Sequence, residues 1–461
     1  MLLILGLLTR FFNIGYQSIW IDEGSTFFFH DFTLSQLMEY EEPNSPIYYL
    51  MEGFFVDVLG QTEFGIRFAS ALAGALTVPL AYMVSMRLFK SRPAALMTSV
   101  LFLLSPMCLY YGQEARGYII VSMLFLVQML ILLKALESGR NIHWLIFALV
   151  SAVQFAMQYS GMIATFTLYL CALYHCIRNG VSKDRYRQPI QMLWSGLLFL
   201  LLVSPILYKF VKEKFVESTG YNQWGWCFMG PEYTINQLND FLFGIPFSYI
   251  LIIAIGVSLC FCFKRNRDNA VLLSIIMFFP LIFATVLTYF MNIAPRYVLW
   301  SAAGFYLIIP YFMTCIDEKA VLSRKGLITM SVVVIILAVS VLPIYYTKVT
   351  KDDFRTGAEV LSDNARSGDL ILYAIGSPNP VYASTSFYYD PISEGIETKG
   401  VSSNEELWAI TDTGAYANIY ILILADYDPE EYLLHVDSPN CELICDAYRI
   451  DVFKITGPLP H

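Results

Sequence analysis

The sequence predicts an α-helical polytopic membrane protein of about eleven transmembrane helices, with juxtamembrane helices in its first outer loop and a small C-terminal α/β domain outside the membrane. Of its 461 residues, 57% are hydrophobic and only 15% are charged, against roughly 25% in an average soluble domain. Apolar blocks of about 17–25 residues recur as far as Tyr346, and each can cross the hydrocarbon core as a helix. After Thr347 the chain becomes polar and acidic, which predicts a soluble domain.

Eleven apolar segments are predicted to span the membrane. They are residues 1–15, 67–88, 94–111, 117–134, 142–158, 161–178, 190–209, 248–264, 270–291, 297–316 and 327–346. Every second loop between them is basic, as in the loop that holds Arg87 and Lys90. Because basic loops are retained in the cytoplasm, these loops are predicted to lie inside and the intervening loops outside.

The odd number of spans places the C-terminal tail on the outer side. The predicted domains are a transmembrane domain at residues 1–346, whose first outer loop is 16–65, and a soluble extracytoplasmic α/β domain at 347–461. Helical spacing near the start of this tail is followed by strand-like runs such as Ile419–Leu424 and, as a last strand, Ala447–Ile455, which is typical of an α/β fold. We therefore expect an integral, multi-pass protein of the cell membrane.

One segment of the first outer loop, Pro46–Leu59, is hydrophobic enough to be mistaken for a span. Counting it would invert every later loop and place the basic clusters outside. Glu52 and Asp57 interrupt its apolar run. We therefore assign it as a juxtamembrane helix that lies in or dips into the outer interface.

Two adjacent carboxylates, Asp22 and Glu23, follow Trp20 in the first outer loop. A carboxylate in this position can take a proton from a hydroxyl or amine of a substrate. If the stretch is extended, the two side chains point to opposite sides, so that only one faces a substrate and the other orients it or fixes the loop. We select Asp22 as the proton acceptor. The alternative is that the pair is solvated loop charge.

Arginines recur at the predicted outer ends of the spans. Arg116 follows Glu114 between two long apolar segments, and Arg296 begins a later span on the same side. Two guanidinium groups near a membrane boundary can hold a phosphate, because their planar fork matches phosphate oxygens. Arg67, at the start of another span, is a further candidate. The alternatives are that Arg116 snorkels to lipid phosphate, or that each arginine neutralises Asp22, Glu23 or Glu114.

These elements, in this order, resemble a known family. The matching motifs are Trp20-x-Asp22-Glu23, Asn44-x-Pro46-x-Tyr48-Tyr49, Arg67 with Ser70-Ala71-Leu72, Tyr111-x-Gln113-Glu114-Ala115-Arg116-x-Tyr118 and Arg296-Tyr297. Together they resemble the C-type superfamily of membrane glycosyltransferases, particularly the protein O-mannosyltransferase and aminoarabinose transferase-like group, which includes the dolichyl-phosphate-mannose-protein mannosyltransferases. The resemblance is dense over residues 1–120 and thin over the rest.

The resemblance implies a hexosyl- or pentosyltransferase that takes a sugar from a polyprenyl or dolichyl phosphate carrier in the outer leaflet and inverts the anomeric centre. It implies that Asp22 activates a protein, glycan or lipid acceptor, with Glu23 beside it. It also implies that Arg116 and Arg296 lie near the donor phosphate, and Arg67 is the further candidate for that role. The remaining matched side chains are expected to contact substrate: Asn44, Tyr49, Gln113, Glu114, Tyr118 and Tyr297. Relatives often carry His or Lys where this chain has Asn44.

We expect no metal and no other cofactor. Some members of the wider superfamily bind a divalent metal through acidic outer loops, and Asp22, Glu23, Glu41 and Glu42 offer oxygen ligands. They form no diagnostic pattern, and the mannosyltransferase-like branch is generally taken to work without a metal. The net charge of −9 gives no sign of a nucleic-acid partner.

The alternative function is that of a membrane transporter or lipid-handling protein without glycosyl transfer. Such proteins usually show internal repeats and charged or broken helices near the middle of the membrane. The sequence shows no repeat, and nearly all of its charges cluster in the loops. The transferase is therefore the favoured interpretation.

Overall fold

The computed structural model describes residues 1–40, 45–178, 187–213, 228–244, 247–316, 324–374, 380–401, 403–424 and 438–459. The chain forms two compact units. The first consists of Met1–Phe12, Thr33–Tyr48 and Phe68–Thr347, and the second of Asn13–Phe32, Tyr49–Arg67 and Lys348–His461. The predicted domain boundary falls at the end of the last apolar helix. Two parts of the predicted first outer loop, however, group with the C-terminal domain.

Helices dominate the chain before the C-terminal domain. They are α1 (Leu2–Phe11), α2 (Ile21–Phe28), α3 (Leu34–Glu39), α4 (Pro46–Leu59), α5 (Glu63–Phe89), α6 (Arg92–Leu104), α7 (Pro106–Tyr110), α8 (Tyr118–Ser138), α9 (Asn141–Met157), α10 (Gly161–Arg178), α11 (Arg187–Val211), α12 (Gly230–Phe241), α13 (Phe247–Arg265), α14 (Arg267–Leu287), α15 (Ala302–Ile316) and α16 (Arg324–Thr347). Two 3-10 helices, Tyr111–Gln113 and Pro295–Ser301, precede α8 and α15.

Several of these helices meet the length and composition expected of a membrane span. Among the described residues, six do so: α5, α8, α10, α11, α13 and α14. The pair formed by α6 and Pro106–Gln113 becomes a seventh if it is counted as one span bent by 60°. The predicted polytopic helical class is therefore confirmed, whereas the number of eleven spans stays a prediction.

The bend between α6 and α7 has a direct chemical cause. Pro106 has no N–H and therefore cannot continue the helical hydrogen bonding of α6. The backbone carbonyl groups of Phe102 and Leu103 instead accept hydrogen bonds of 2.7 Å each from the buried guanidinium of Arg10. The Ser105 hydroxyl accepts from the backbone N–H of Cys108 at the start of α7. Arg10 thus stabilises the broken end of α6.

Helix α4 is the segment on which the predicted sidedness depends. Its 14 residues extend over about 21 Å, which is shorter than the roughly 30 Å of a bilayer core. Glu52 is buried within this helix and Asp57 is exposed. Its length fits the predicted juxtamembrane helix.

In its described residues, the C-terminal domain forms a five-stranded mixed sheet with helices. Its elements are α17 (Phe354–Asn364), β1 (Leu370–Ala374), α18 (Pro380–Ser386), a 3-10 helix (Ile392–Glu394), β2 (Glu397–Val401), α19 (Asn404–Thr411), β3 (Ile419–Leu424), β4 (Cys441–Ala447) and β5 (Ile450–Ile455). The strand order is β2-β1-β3-β5-β4, with β1 parallel to β2 and β3 and with β5 antiparallel to β3 and β4. Every residue of β1 and β3 is buried, as expected of central strands. The predicted α/β fold is confirmed.

The last strand differs from the sequence-based expectation. Ala447–Ile455 is predicted as one strand, but the chain reverses at Tyr448 and Arg449 to form the β4–β5 hairpin. Arg449 adopts a φ of 62°, in the left-handed region that tight hairpin turns require. Glycine or asparagine normally signals such a turn, and neither is present here. The prediction was therefore wrong because the turn lacks its usual sequence signal.

Candidate active site

The adjacent carboxylates Asp22 and Glu23 lie in the first turn of helix α2, not in an extended segment. Trp20 has the extended backbone that precedes the helix, and carboxylates in a first turn are stabilised by the positive end of the helix dipole. Successive helical residues differ by about 100° in direction. Glu23 is consequently buried while Asp22 is partly exposed. One carboxylate of the pair is therefore accessible and the other is not, although the stretch is helical and not extended.

Glu23 is held by a bidentate ion pair with Arg67. The Arg67 Nε donates to one carboxylate oxygen at 2.8 Å and a terminal nitrogen donates to the other at 2.6 Å. The remaining N–H groups of Arg67 bind the backbone carbonyls of Ile14, Gln17 and Ser18, each at 2.8 Å. Arginine has five N–H donors, so all of them are used. A donor phosphate could bind Arg67 only by displacing one of these acceptors.

A second cation, Lys351, also binds Glu23. Its ammonium lies 3.1 Å from the carboxylate, and both side chains are buried. Lys351 belongs to the segment that begins the C-terminal domain. With two cations around it, Glu23 is suited to fixing helix α2 in place, and Asp22 is left as the accessible carboxylate.

Residues of the C-terminal domain fix both the start and the middle of helix α2. The Tyr388 hydroxyl accepts a hydrogen bond from the Ile19 N–H and donates to a Glu63 carboxylate oxygen, each at 2.8 Å. Burial raises the pKa of the Tyr388 hydroxyl well above its usual value, and the Glu63 charge acts in the same direction. Tyr388 therefore remains a protonated donor. Further along α2, Gly24 faces Ser384 of helix α18.

Replacing Gly24 by alanine tests the closeness of this contact. The added methyl carbon would lie 1.9 Å from the Ser384 Oγ and 2.8 Å from its Cα, so α2 or α18 has to move. We expect a loss of about 1–3 kcal/mol in unfolding free energy, as for other overpacked cores, measured as a lower midpoint of thermal unfolding in detergent. Gly15→Ala is the matched control, because nothing lies within 4 Å of its added carbon. Equal midpoints for both variants would contradict the packing described.

In the first unit, Arg296 lies among tyrosines of the predicted site. Its guanidinium carbon is 5.9 Å from the ring centre of Tyr118 and 5.8 Å from that of Tyr297, within range of a cation–π interaction. The ring of Tyr111 packs edge-on against Tyr118 with centres 5.4 Å apart. Tyr111 is also within electrostatic range of Arg296 and Glu114. The structure thus brings Arg296, Tyr118, Tyr297 and Glu114 into one neighbourhood.

Arg116 is buried, as is Glu114 two residues before it. The Arg116 N–H donates to the Glu114 carbonyl at 2.8 Å, which forms a tight turn just before α8. The Arg116 carbonyl in turn accepts from the Ser70 hydroxyl at 3.1 Å. Because Tyr118 starts α8 two residues later, Arg116 and Arg296 approach the same end of that helix.

Gln113 connects separate helices. Its amide nitrogen donates to the backbone carbonyls of Arg10 and Phe12, each at 2.8 Å. Its amide oxygen lies 2.9 Å from the Tyr345 hydroxyl of α16. These bonds fix the segment that leads to Glu114 and Arg116. They suit a positioning role, whereas the predicted role of Gln113 was substrate contact.

Two predicted site residues remain, Tyr49 and Asn44. Tyr49 is buried in the second unit, where its ring packs 4.9 Å from that of Phe29. Asn44 lies outside the described residues, as do the two glutamates Glu41 and Glu42 considered as metal ligands. Within the part of the chain that the structure describes, no group of three or more His, Cys, Asp or Glu side chains could hold a metal ion.

Three buried cations were not predicted from the sequence as functional residues. Arg10 binds the broken end of α6, Lys351 binds Glu23, and Lys209 near the end of α11 pairs with Glu213. An ionisable residue inside or at the end of a predicted span is a usable signal, and it applies to Arg10 and Lys209. Lys351 offers no such signal, because it lies in a charged segment that looks solvated.

Comparisons with known proteins support these observations. Residues 42–208 match the family described as dolichyl-phosphate-mannose-protein mannosyltransferase. Two crystal structures of ArnT from Cupriavidus metallidurans, one in the apo state and one bound to undecaprenyl phosphate, are similar to this chain. Each has a TM-score of 0.65 and 12% sequence identity, and the match covers 98% of this chain and 97% of that chain. No curated protein matches the sequence.

The whole chain shares the fold of a polytopic membrane protein, and the family match over residues 42–208 supports a glycosyltransferase. They support its place in the protein O-mannosyltransferase and aminoarabinose transferase-like group, as the sequence resemblance predicts.

Proposed function

We propose that the protein transfers a sugar from a polyprenyl phosphate carrier to a hydroxyl or amine acceptor on the outer face of the cell membrane, with Asp22 as the base. The observation that carries this proposal is the contrast between two adjacent carboxylates. Glu23 is buried and bound by Arg67 and Lys351, while Asp22 in the same helical turn is partly exposed. Of the two, Asp22 is the one that an acceptor can reach.

The proposed reaction is a single inverting displacement. Asp22 takes the proton of the acceptor while the acceptor oxygen or nitrogen forms a bond to the anomeric carbon. The bond between that carbon and the phosphate oxygen breaks, and the carrier leaves as a phosphate monoester with one additional negative charge. Arg116 and Arg296 are proposed to bind the phosphate and to stabilise this charge.

The nature of the carrier rests on similarity. The ArnT structure that resembles this chain contains undecaprenyl phosphate, and the matching family is described by a dolichyl phosphate sugar. Both carriers are polyprenyl phosphates, so we propose a donor of this class. The acceptor is a protein, a glycan or a lipid. The C-terminal domain is proposed to lie outside the membrane, as the alternation of basic loops predicts.

A direct test is to identify the lipid that co-purifies with the protein and then to assay transfer. Mass spectrometry of extracted lipid should find a polyprenyl phosphate or its sugar conjugate. Incubation of the protein with polyprenyl phosphate sugars and membrane extract should release the bare carrier phosphate. Solute uptake into vesicles without any glycosylated product would instead favour the transporter alternative.

Replacing Arg296 by leucine tests the phosphate-binding role. Charge-assisted hydrogen bonds contribute about 1.5–3 kcal/mol each, so we expect undecaprenyl phosphate to bind roughly 10- to 100-fold more weakly. Binding can be followed by native mass spectrometry or by carrier-dependent thermal stabilisation. The matched control is Arg92→Leu, which removes an exposed arginine at the other end of the helices. Unchanged carrier affinity in Arg296→Leu would remove Arg296 from the proposed mechanism.

A further inference from the structure

A buried ion pair between Lys209 and Glu213 lies at the C-terminal end of helix α11. Lys209 and Glu213 are only 3% and 9% exposed in their side chains, and the Lys209 ammonium binds the Glu213 carboxylate. The same ammonium donates to the Tyr40 backbone carbonyl at 2.6 Å. A lysine at the end of a spanning helix ordinarily extends its ammonium into the aqueous interface. Here the charge is kept inside the protein.

Helix stability does not explain this pair. Glu213 follows the C-terminus of α11, where the negative end of the helix dipole disfavours a carboxylate. Helical ion pairs are also more favourable when glutamate precedes lysine, and the order here is reversed. Burial adds the cost of removing both charges from water. The position of the pair therefore fits a binding role better than a role in helix stability.

The pair retains hydrogen-bonding capacity. A lysine ammonium has three donors, and two of those of Lys209 are used by Tyr40 and Glu213. One oxygen of Glu213, Oε2, is buried and accepts no hydrogen bond from the described residues. Among the described residues, one donor and one acceptor are thus left over in a group with no net charge. A sugar hydroxyl, which donates one hydrogen bond and accepts others, complements this arrangement.

Two close contacts connect the pair to the segment that holds Arg116. Phe210, next to Lys209, packs against Tyr159 with ring centres 4.7 Å apart. Two residues before Tyr159, the Met157 carbonyl approaches Gly117 so closely that an added Cβ would lie 2.7 Å from it. Gly117 directly follows Arg116. The ion pair and Arg116 therefore belong to one continuous packed region of the first unit.

We propose that Lys209 and Glu213 form a subsite that binds hydroxyl groups of the transferred sugar. This inference rests on the proposed function, because it assigns the phosphate of the same donor to Arg116 and Arg296. The neutral pair fits uncharged hydroxyls, whereas the arginines fit the phosphate. The two parts of the donor are then recognised by different groups.

The test compares binding of the carrier with and without its sugar. Wild type, Lys209→Met and Glu213→Gln are titrated with undecaprenyl phosphate and with its mannose, glucose and 4-amino-4-deoxyarabinose conjugates. We expect both variants to bind the preferred conjugate about 10- to 100-fold more weakly than wild type does, and undecaprenyl phosphate with unchanged affinity. Arg178→Met is the matched control, because its ion pair with Asp268 is exposed. It should change neither affinity.

Other outcomes would overturn the subsite. Equal losses for the bare carrier and the conjugate would mean that the pair only holds the structure together. A higher KM for the acceptor with unchanged donor affinity would assign the pair to the acceptor. If wild type binds the sugar conjugates no more tightly than undecaprenyl phosphate itself, the pair is not a sugar subsite. If wild type binds no polyprenyl phosphate of any kind, the proposed function itself fails. If Lys209→Met does not fold, the binding measured for Glu213→Gln decides, because glutamine has nearly the same shape as glutamate.

Discussion

Replacing Asp22 by asparagine should reduce sugar transfer by about 10²- to 10⁴-fold, the usual contribution of a general base. Asparagine has nearly the same shape as aspartate but cannot take the acceptor proton. Because Asp22 is partly exposed and Glu23 beside it makes the buried contacts, the variant should remain folded. Initial rates of carrier phosphate release, measured with the purified protein, give the size of the effect.

The control for this result is Asp57→Asn. Asp57 is an exposed carboxylate on helix α4, so its loss changes the charge by the same amount away from helix α2. It should retain activity close to that of wild type. Full activity of Asp22→Asn would remove Asp22 as the base, and equal losses in both variants would point to a general charge effect.

Replacing Arg67 by leucine should destabilise the second unit by about 3–5 kcal/mol, as expected when one partner of a buried ion pair is removed. The variant leaves Glu23 with Lys351 alone and removes the donor from the backbone carbonyls of Ile14, Gln17 and Ser18. We expect poor yield and a much lower unfolding midpoint in detergent. Thermal unfolding monitored by tryptophan fluorescence measures the change.

The matched control is Arg87→Leu, which breaks an exposed arginine–glutamate pair with Glu137. Exposed pairs contribute about 0–1 kcal/mol, so its unfolding midpoint should stay close to that of wild type. An Arg67→Leu protein with normal stability and weakened carrier binding would support the predicted phosphate role of Arg67 over the structural one.

The sequence predicted the membrane class because hydrophobic span length is a local property. It also singled out Asp22 and Glu23, because adjacent carboxylates beside an aromatic anchor are visible in a short stretch. It did not predict helix α2: the segment is short, and its stability comes from contacts with Ser384 and Tyr388, which are distant in the chain.

Ion pairs between distant segments could not be predicted in the same way. Lys351 lies beside two aspartates in the sequence and looks like solvated charge, yet it is buried against Glu23. Three of the five hydrogen bonds of Arg67 likewise go to backbone carbonyls that no composition or periodicity reveals. Hydrophobic patterns predict which segments are helices, whereas the partners of a buried charge depend on tertiary structure.

The contacts of helix α2 with Lys351, Ser384 and Tyr388 limit how this enzyme can be recombined with its relatives. A chimera that exchanges only residues 348–461 would set a foreign lysine, serine and tyrosine against the native α2. The segments 13–32 and 49–67 belong to the same compact unit and would have to be exchanged with them. These three stretches are separate in the sequence, but a functional chimera would have to exchange them together.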